Sequence, residues 1–333
     1  MITARVDRHH RLSALLAVLG DVELMTLLDA GRVVGIGVGG DATVIDLDGV
    51  PVFAKRVPLT SLELAHPHST ANLFELPSYC QYGMGGPSFN AWRELAANQL
   101  VTDGVLAGET GSFPLLHHWR VLPGRPPVAD EHLDIDEVVA AYGGSPAVRA
   151  RLAALAAASY SLVLFSEYLP YSLADWLADD PVGKAPLVEQ QFAEIVDYLR
   201  DRELLHLDGH FGNLRADGER IYLTDFGLAT SPRFSLSAEE LEFVERNASH
   251  DAGYASMRLV NWLVTAVCGV RLPALGGPVE RNEYIERWAA GDTADDVPTV
   301  VAEMLNRHAP AAAKLNAFYW KLFDGDLTTE FPG

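Results

Sequence analysis

Apolar residues recur at helical spacing through residues 11–29, where Leu12, Leu15, Leu16, Leu19, Leu24 and Leu27 predict an amphipathic helix. The period then changes. The run RVVGIGVGGDATVIDLDGVPVFAKRV is rich in valine and isoleucine and carries the hairpin turn signal Asp48-Gly49, so three short strands are predicted at about 32–37, 42–47 and 51–57. Residues 58–87 are mixed and turn-rich and read as an insertion. SFNAWRELAANQLVTDG places Ser88 at an N-cap and stops before Gly104, which predicts a helix. FPLLHHWRVL and YSLVLFSEYL predict strands, flanking a Pro/Gly loop at 123–127 and an alanine-rich helical stretch near 136–158. From about residue 171 the pattern is mostly helical, except where RADGER forms a hairpin turn between Leu214 and IYLTDF. The expected class is α+β: a helical extension over 1–30, a strand-rich part over 31–169, and a helical part over 170–333, with the boundary near Leu169-Pro170.

Composition narrows the function classes. A chain of 333 residues, 49% hydrophobic, can bury a substantial core. Its formal net charge of -20 repels phosphate backbones and argues against a nucleic-acid partner, though not against a local basic site for one phosphate group. Two cysteines, Cys80 and Cys268, make no disulfide framework, and a reducing cytoplasm is the expectation. The N-terminal apolar run is short and lacks a small-residue cleavage site, so neither a secretory signal nor a membrane span is expected.

The candidate chemistry starts at GIGVGG, with Gly35, Gly37 and Gly40 spaced as GxGxxG. Strands are predicted on both sides of these glycines, whereas a dinucleotide site needs a strand and a helix. A glycine hairpin can instead fold over phosphates, because backbone approaches closely where no side chain intervenes; a plain glycine-rich turn is the alternative. Lys55 follows in the apolar strand PVFAKRV. By alternation Lys55 and Arg56 cannot share a face, and an inward lysine needs an anionic partner; an exposed edge-strand lysine is the other reading. HLDGHFGN then supplies His206, Asp208 and Asn213 as H-x-D-x-x-x-x-N, and Asp225-Phe226-Gly227 comes after it. Alone, each of these is common turn chemistry. In this order, behind a glycine loop and a strand lysine, they resemble the protein-kinase-like superfamily over roughly residues 30–265.

The resemblance implies a two-lobed fold, with a small β-rich lobe, a larger helical lobe and the nucleotide between them. It implies ATP and Mg2+, with Asn213 and Asp225 as oxygen ligands of the metal, Lys55 at the α/β-phosphates and Asp208 at the proton of the attacking hydroxyl. It pairs Lys55 with a helix glutamate: Glu94 is preferred, Glu75 is the rival and Glu63 the weaker rival. By position, Ser166 would back the adenine pocket, and backbone groups of Glu167 and Leu169 would bind the adenine edge. Asp251, in HDAGYASMRLVNWLV, would brace the catalytic loop, or serve as an N-cap only.

Two features depart from the family pattern. His210 stands where Ser/Thr kinases carry lysine, so H-x-D-x-H-x-G-N is closer to aminoglycoside and choline phosphotransferases, while LTDFGLA is closer to protein kinases. The segment after Gly227 has no APE and reads as partly helical from Ser237. The expected activity is transfer of the ATP γ-phosphoryl to a hydroxyl, preferably of a protein or peptide. A small-molecule acceptor is the first alternative and a pseudokinase scaffold the second. The pairs His9-His10 and His117-His118 lack metal spacing and are expected on the surface or in strands; the tryptophans and Tyr160 are expected in the core.

Overall fold

A computed structural model describes residues 2–37, 40–127, 129–274, 276–294 and 296–333. The described residues form an α+β chain that divides into two compact units, residues 1–170 with 224–242, and residues 171–223 with 243–333. The segment 224–242, expected in the helical part, thus belongs to the first unit.

In the first unit, α1 (Ile2–Val18) and α2 (Asp21–Ala30) precede a five-stranded antiparallel sheet ordered β1-β2-β3-β5-β4. Its strands are β1 (Arg32–Gly37), β2 (Gly40–Leu47), β3 (Val50–Leu59), β4 (Leu116–Pro123) and β5 (Tyr160–Glu167). The β2–β3 turn is the predicted one, with Asp48 and Gly49 both at positive φ, 56° and 75°. Helix α3 (Ser61–Ala65), a 3-10 turn at Ser78–Gln81 and α4 (Ala91–Leu106) follow β3, and α5 (Ile135–Ala141) and α6 (Pro146–Ala156) lie between β4 and β5.

The strand period of two sorts the sheet into two apolar faces. Val52, Ala54, Val163 and Phe165 pack with Leu12 and Leu16 of α1 and Leu24 and Leu28 of α2. Val57, Leu59, Leu162 and Leu164 point the other way, against Trp92 and Leu95 of α4. Lys55 shares the parity of Val57 and so faces α4.

Several boundaries differ from the sequence reading. The single helix predicted over 11–29 is two helices broken at Gly20, whose N–H donates to Glu23 Oε2 at 2.7 Å. The cap of α4 is Asn90, accepting from Trp92 N at 2.9 Å, rather than Ser88, and the helix runs on through a buried Gly104. The alanine-rich stretch near 136–158 is split at Gly143 and Gly144, with φ of 67° and 73°, and Ser145 caps the second helix ahead of Pro146. Tyr160 and Trp320 are exposed, at 42% and 43%, not in the core.

The second unit holds a three-stranded antiparallel sheet of β6 (Tyr171–Ser172), β7 (Leu214–Ala216) and β8 (Ile221–Leu223), with α7 (Leu173–Leu177), α8 (Pro181–Asp201), α10 (His250–Ala266), α11 (Val279–Ala289) and α12 (Thr299–Phe323). Helix α9 (Ala238–Arg246) precedes α10 in the chain. The β7–β8 turn is the predicted RADGER hairpin. Asp217 Oδ1 accepts from the backbone N–H groups of Glu219 and Arg220, each at 2.9 Å. Helix α10 packs against α8, α11 and α12 and carries the buried Leu259, Val260, Leu263 and Val264. Among the described residues no helix is long and apolar enough to cross a membrane.

Candidate active site

In the first unit Lys55 meets two carboxylates. Its Nζ lies 2.7 Å from Glu94 Oε1 on α4 and 2.8 Å from Asp225 Oδ1. The register explains the partners. Lys55 and Arg56 are adjacent on β3 and point to opposite faces; Arg56 pairs with Asp41, directly across on β2, with Nε 2.8 Å from Oδ1. Burial alone lowers the pKa of the Lys55 ammonium, but the charges and hydrogen bonds of Asp225 and Glu94 raise it above the ordinary lysine value. Glu94 is pushed up to about 7, first by burial and further by the Asp225 charge, against the pull of Lys55. One ammonium therefore faces two carboxylates, and the buried one bears the desolvation. Lys55 stays charged, because both of its neighbours are acids.

The two rivals for Lys55 do other things. Glu63 is buried and accepts from Ala91 N at 2.8 Å, from Thr60 Oγ1 at 2.6 Å, and pairs with Arg151 at 2.9 Å. It ties α3 to the first turn of α4. Glu75 is exposed, with φ of 54°.

Asp225 sits at φ 62°, in the left-handed region, and its Oδ1 also accepts from Gly227 N at 3.2 Å. A Cβ on Gly227 would lie 3.2 Å from that same oxygen. The glycine in the Asp-Phe-Gly run thus leaves room for the carboxylate, while buried Phe226 anchors the turn on Phe113.

Downstream, the segment is fastened within the first unit by contacts that sequence reading missed. Arg93, beside Glu94 on α4, pairs with Glu240 at 2.5 Å and donates from Nε to Thr70 O at 2.6 Å. Ser78 Oγ donates to Glu239 Oε1 at 3.0 Å, and Ser235 N to Thr70 Oγ1 at 2.8 Å. These link residues far apart in the chain, and nothing in local spacing marks them.

In the second unit the loop around Asp208 is over-determined. Asp251, at the start of α10, accepts from His206 N at 2.7 Å and Leu207 N at 2.9 Å. Leu207 has φ of 64°, a strained conformation that these two bonds hold. Burial raises the pKa of Asp251, but His250, His206 and the loop amides outweigh it and hold the carboxyl below its usual range. His250 in turn reaches Tyr319 on α12 at 2.9 Å. Asn213 Nδ2 donates to Asp208 O at 2.9 Å and to Asp208 Oδ2 at 3.1 Å. The amide nitrogen is thus committed to Asp208. His210 caps the short turn Phe211–Asn213: its Nδ1 accepts from Gly212 N at 3.0 Å, and its Nε2 lies 3.7 Å from Asp208 Oδ2. To accept there, Nδ1 must be unprotonated, so the capping imidazole is neutral. His210 is half-exposed rather than packed beneath the loop.

The glycine hairpin is present as predicted between β1 and β2, with Gly37 opposite Gly40; the tip of GIGVGG, Val38 and Gly39, lies outside the described residues. Gly40 has φ of 128°, and a Cβ there would come within 2.0 Å of Arg56 O. Gly35 sits at the strand irregularity, opposite Ala42, with open space around it. Ser166 is buried at the end of β5, and Leu169 is buried just beyond. The N–H of Glu167 donates to Leu115 O at 2.9 Å, and its carboxylate takes Arg5 of α1, with Nη2 at 2.6 Å. His117, expected on the surface or in a strand, lies on β4, whereas His9 lies on α1; both are buried and share a 3.0 Å contact between their Nδ1 atoms.

Each unit offers an oxygen that suits a hard cation: Asp225 a carboxylate in the first, Asn213 an amide in the second. Among the described residues no group of three His, Cys, Asp or Glu side chains is placed to hold a metal unaided. Magnesium commonly rests on one or two protein ligands, substrate phosphates and water, so each of these oxygens suits it taken singly. Compared with known proteins, the chain matches no family model and no curated protein.

Proposed function

We propose that this chain is an ATP- and Mg2+-dependent phosphotransferase with a two-lobed, protein-kinase-like fold, moving the γ-phosphoryl group to a hydroxyl of a protein or peptide. The observation that carries the reading is Lys55 held at 2.7 and 2.8 Å between Glu94 and Asp225. An inward lysine fixed by a helix glutamate is a positioned charge for phosphate oxygens, and Asp225, 40% exposed at its side chain, is open to a cation. Asp225 and Asn213 would hold the magnesium, which neutralises phosphate charge when bound. Asp208 would take or orient the hydroxyl proton, and the Asn213 and Asp251 bonds would keep it in place. The glycine hairpin would cover the phosphates, and Glu167 and Leu169 would border the adenine.

His210 supports a second reading, a small-molecule acceptor. A neutral cap on the loop supplies no fixed positive charge to the transferring phosphate, where lysine would supply one.

Thermal unfolding tests the main reading. ATP with Mg2+ should raise the unfolding temperature more than ATP alone, since a ligand that binds the folded chain stabilises it, and Asp225→Asn should lose the Mg2+-dependent part. No shift at millimolar ATP and Mg2+ would sink the proposal. Binding without transfer of radiolabel to any acceptor would leave a nucleotide-binding scaffold.

A further inference from the structure

The second unit contains two arginines without an acid. Arg258 on α10 and Arg281 on α11 are half-buried, and the Nε atom of each is buried without a hydrogen-bond partner. Among the described residues neither forms an ion pair, although the chain carries 45 acidic residues against 25 basic ones. The two feel each other. The Arg281 pKa is pushed down to about 10, first by burial and then by the charge of Arg258. Two desolvated like charges side by side cost stability, and a structural role gives no return for that cost.

Their position supplies the reason. The Arg258 guanidinium lies over the Phe211 ring, 5.8 Å from its centroid, and Phe211 directly follows His210 in the Asp208 loop. Tyr254, one helical turn before Arg258, feels the charges of Arg258, Asp208 and Asp251 together. Trp262, one turn after, packs on Phe211 at 6.1 Å. The face of α10 built from Tyr254, Arg258 and Trp262 therefore runs beneath the loop that carries Asp208. Arg281 extends it onto α11.

We propose that Arg258 and Arg281 form an anion-recognition site for the acceptor, which carries a phosphate or carboxylate near the hydroxyl presented to Asp208. The assignment of the ligand as acceptor rests on the phosphotransferase reading; the anion site itself does not. Guanidinium groups bind such oxyanions through charge-assisted, often bidentate hydrogen bonds, and here two of them would share one anion and relieve their mutual repulsion. Binding positions are selective, so the site would favour acidic acceptors over neutral ones.

The test uses the full chain and inorganic phosphate, with acetate as the carboxylate arm and potassium chloride at matched ionic strength as control. Lys55→Met serves as background to remove phosphate binding at the nucleotide site. In that background phosphate should raise the unfolding temperature, and in Arg258→Gln/Arg281→Gln its apparent dissociation constant should rise about tenfold or more. Acetate responding in place of phosphate assigns a carboxylate. Without any anion, Arg281→Gln should unfold at the same or a higher temperature, because it removes a desolvated like charge; a structural arginine would do the opposite. The proposal is overturned by no response to either anion, by an unchanged response in the double variant, or by loss of stability in Arg281→Gln without anion. If the wild type ignores ATP and Mg2+ while the arginine-dependent response persists, the phosphotransferase reading fails and the anion site stands.

Discussion

Replacing His117 by glutamine should change how stability depends on pH. His117 is buried on β4, and its Nδ1 is 3.0 Å from that of His9 on α1, so only one proton fits between the rings. Burial, then the charges of His9, Arg8 and Arg5, push His117 down to about 3 from the usual 6.5. The depressed value sets the sign. Above pH 6.5 both folded and unfolded chains hold a neutral imidazole, and the folded chain keeps its full stability. As pH falls below that, the unfolded chain takes a proton the folded one refuses, and stability drains away until about pH 3. Each pH unit within that window is worth about 1.4 kcal/mol, so moving from pH 7 to pH 5 costs about 2 kcal/mol from this one ring. The assay is denaturant unfolding of wild type and His117→Gln at both pH values. Lost packing displaces the variant by a constant, but the gap between the two proteins should move in favour of the variant by about 2 kcal/mol at the lower pH. A gap that stays within about 0.5 kcal/mol across that range would refute the account of a neutral, mutually blocking pair.

Asp208→Asn should lower phosphoryl transfer by about a hundredfold or more while ATP affinity, read by titration, stays nearly unchanged. Asp251→Ala removes the acceptor for the His206 and Leu207 amides and releases the strained Leu207; it should cost about 2–5 kcal/mol in denaturant unfolding and speed hydrogen exchange of those two amides. Gly40→Ala should destabilise by more than about 2 kcal/mol, because its Cβ has no room beside Arg56 O, whereas Gly49→Ala, in open space at φ 75°, should cost about 1 kcal/mol. Similar losses for the two glycines would remove the steric argument.

The first three strands were legible because β-branched residues and one Asp-Gly turn fix both their period and their ends. Lys55 and Glu94 were legible because strand parity decides which face a lysine takes and a strong helix supplies the glutamate. The break at Gly20 was not, since leucines continue at helical spacing through Leu19 and Leu24 and hide a change of axis. Asn90 outcompeted Ser88 as cap by two residues, a difference that only the path of the entering chain decides. The pairings Arg93–Glu240, Arg5–Glu167 and His9–His117 join segments with no shared local pattern. Single-chain periodicity carries no information on such contacts, and they hold much of the polar chemistry buried in the two units.

The docking of α1 has a consequence for synthesis. Arg5 closes on Glu167, 162 residues later, and Leu12 and Leu16 bury against strands that include β5. At elongation rates of roughly 5–20 residues per second, α1 leaves the ribosome about 8–30 s before its partner strand has been made. For that interval β2 and β3 can cover its leucines but Val163 and Phe165 of β5 cannot, so the apolar layer of the nascent chain stays incomplete. Where a single arginine finds its carboxylate thus sets how long that layer stays open during synthesis.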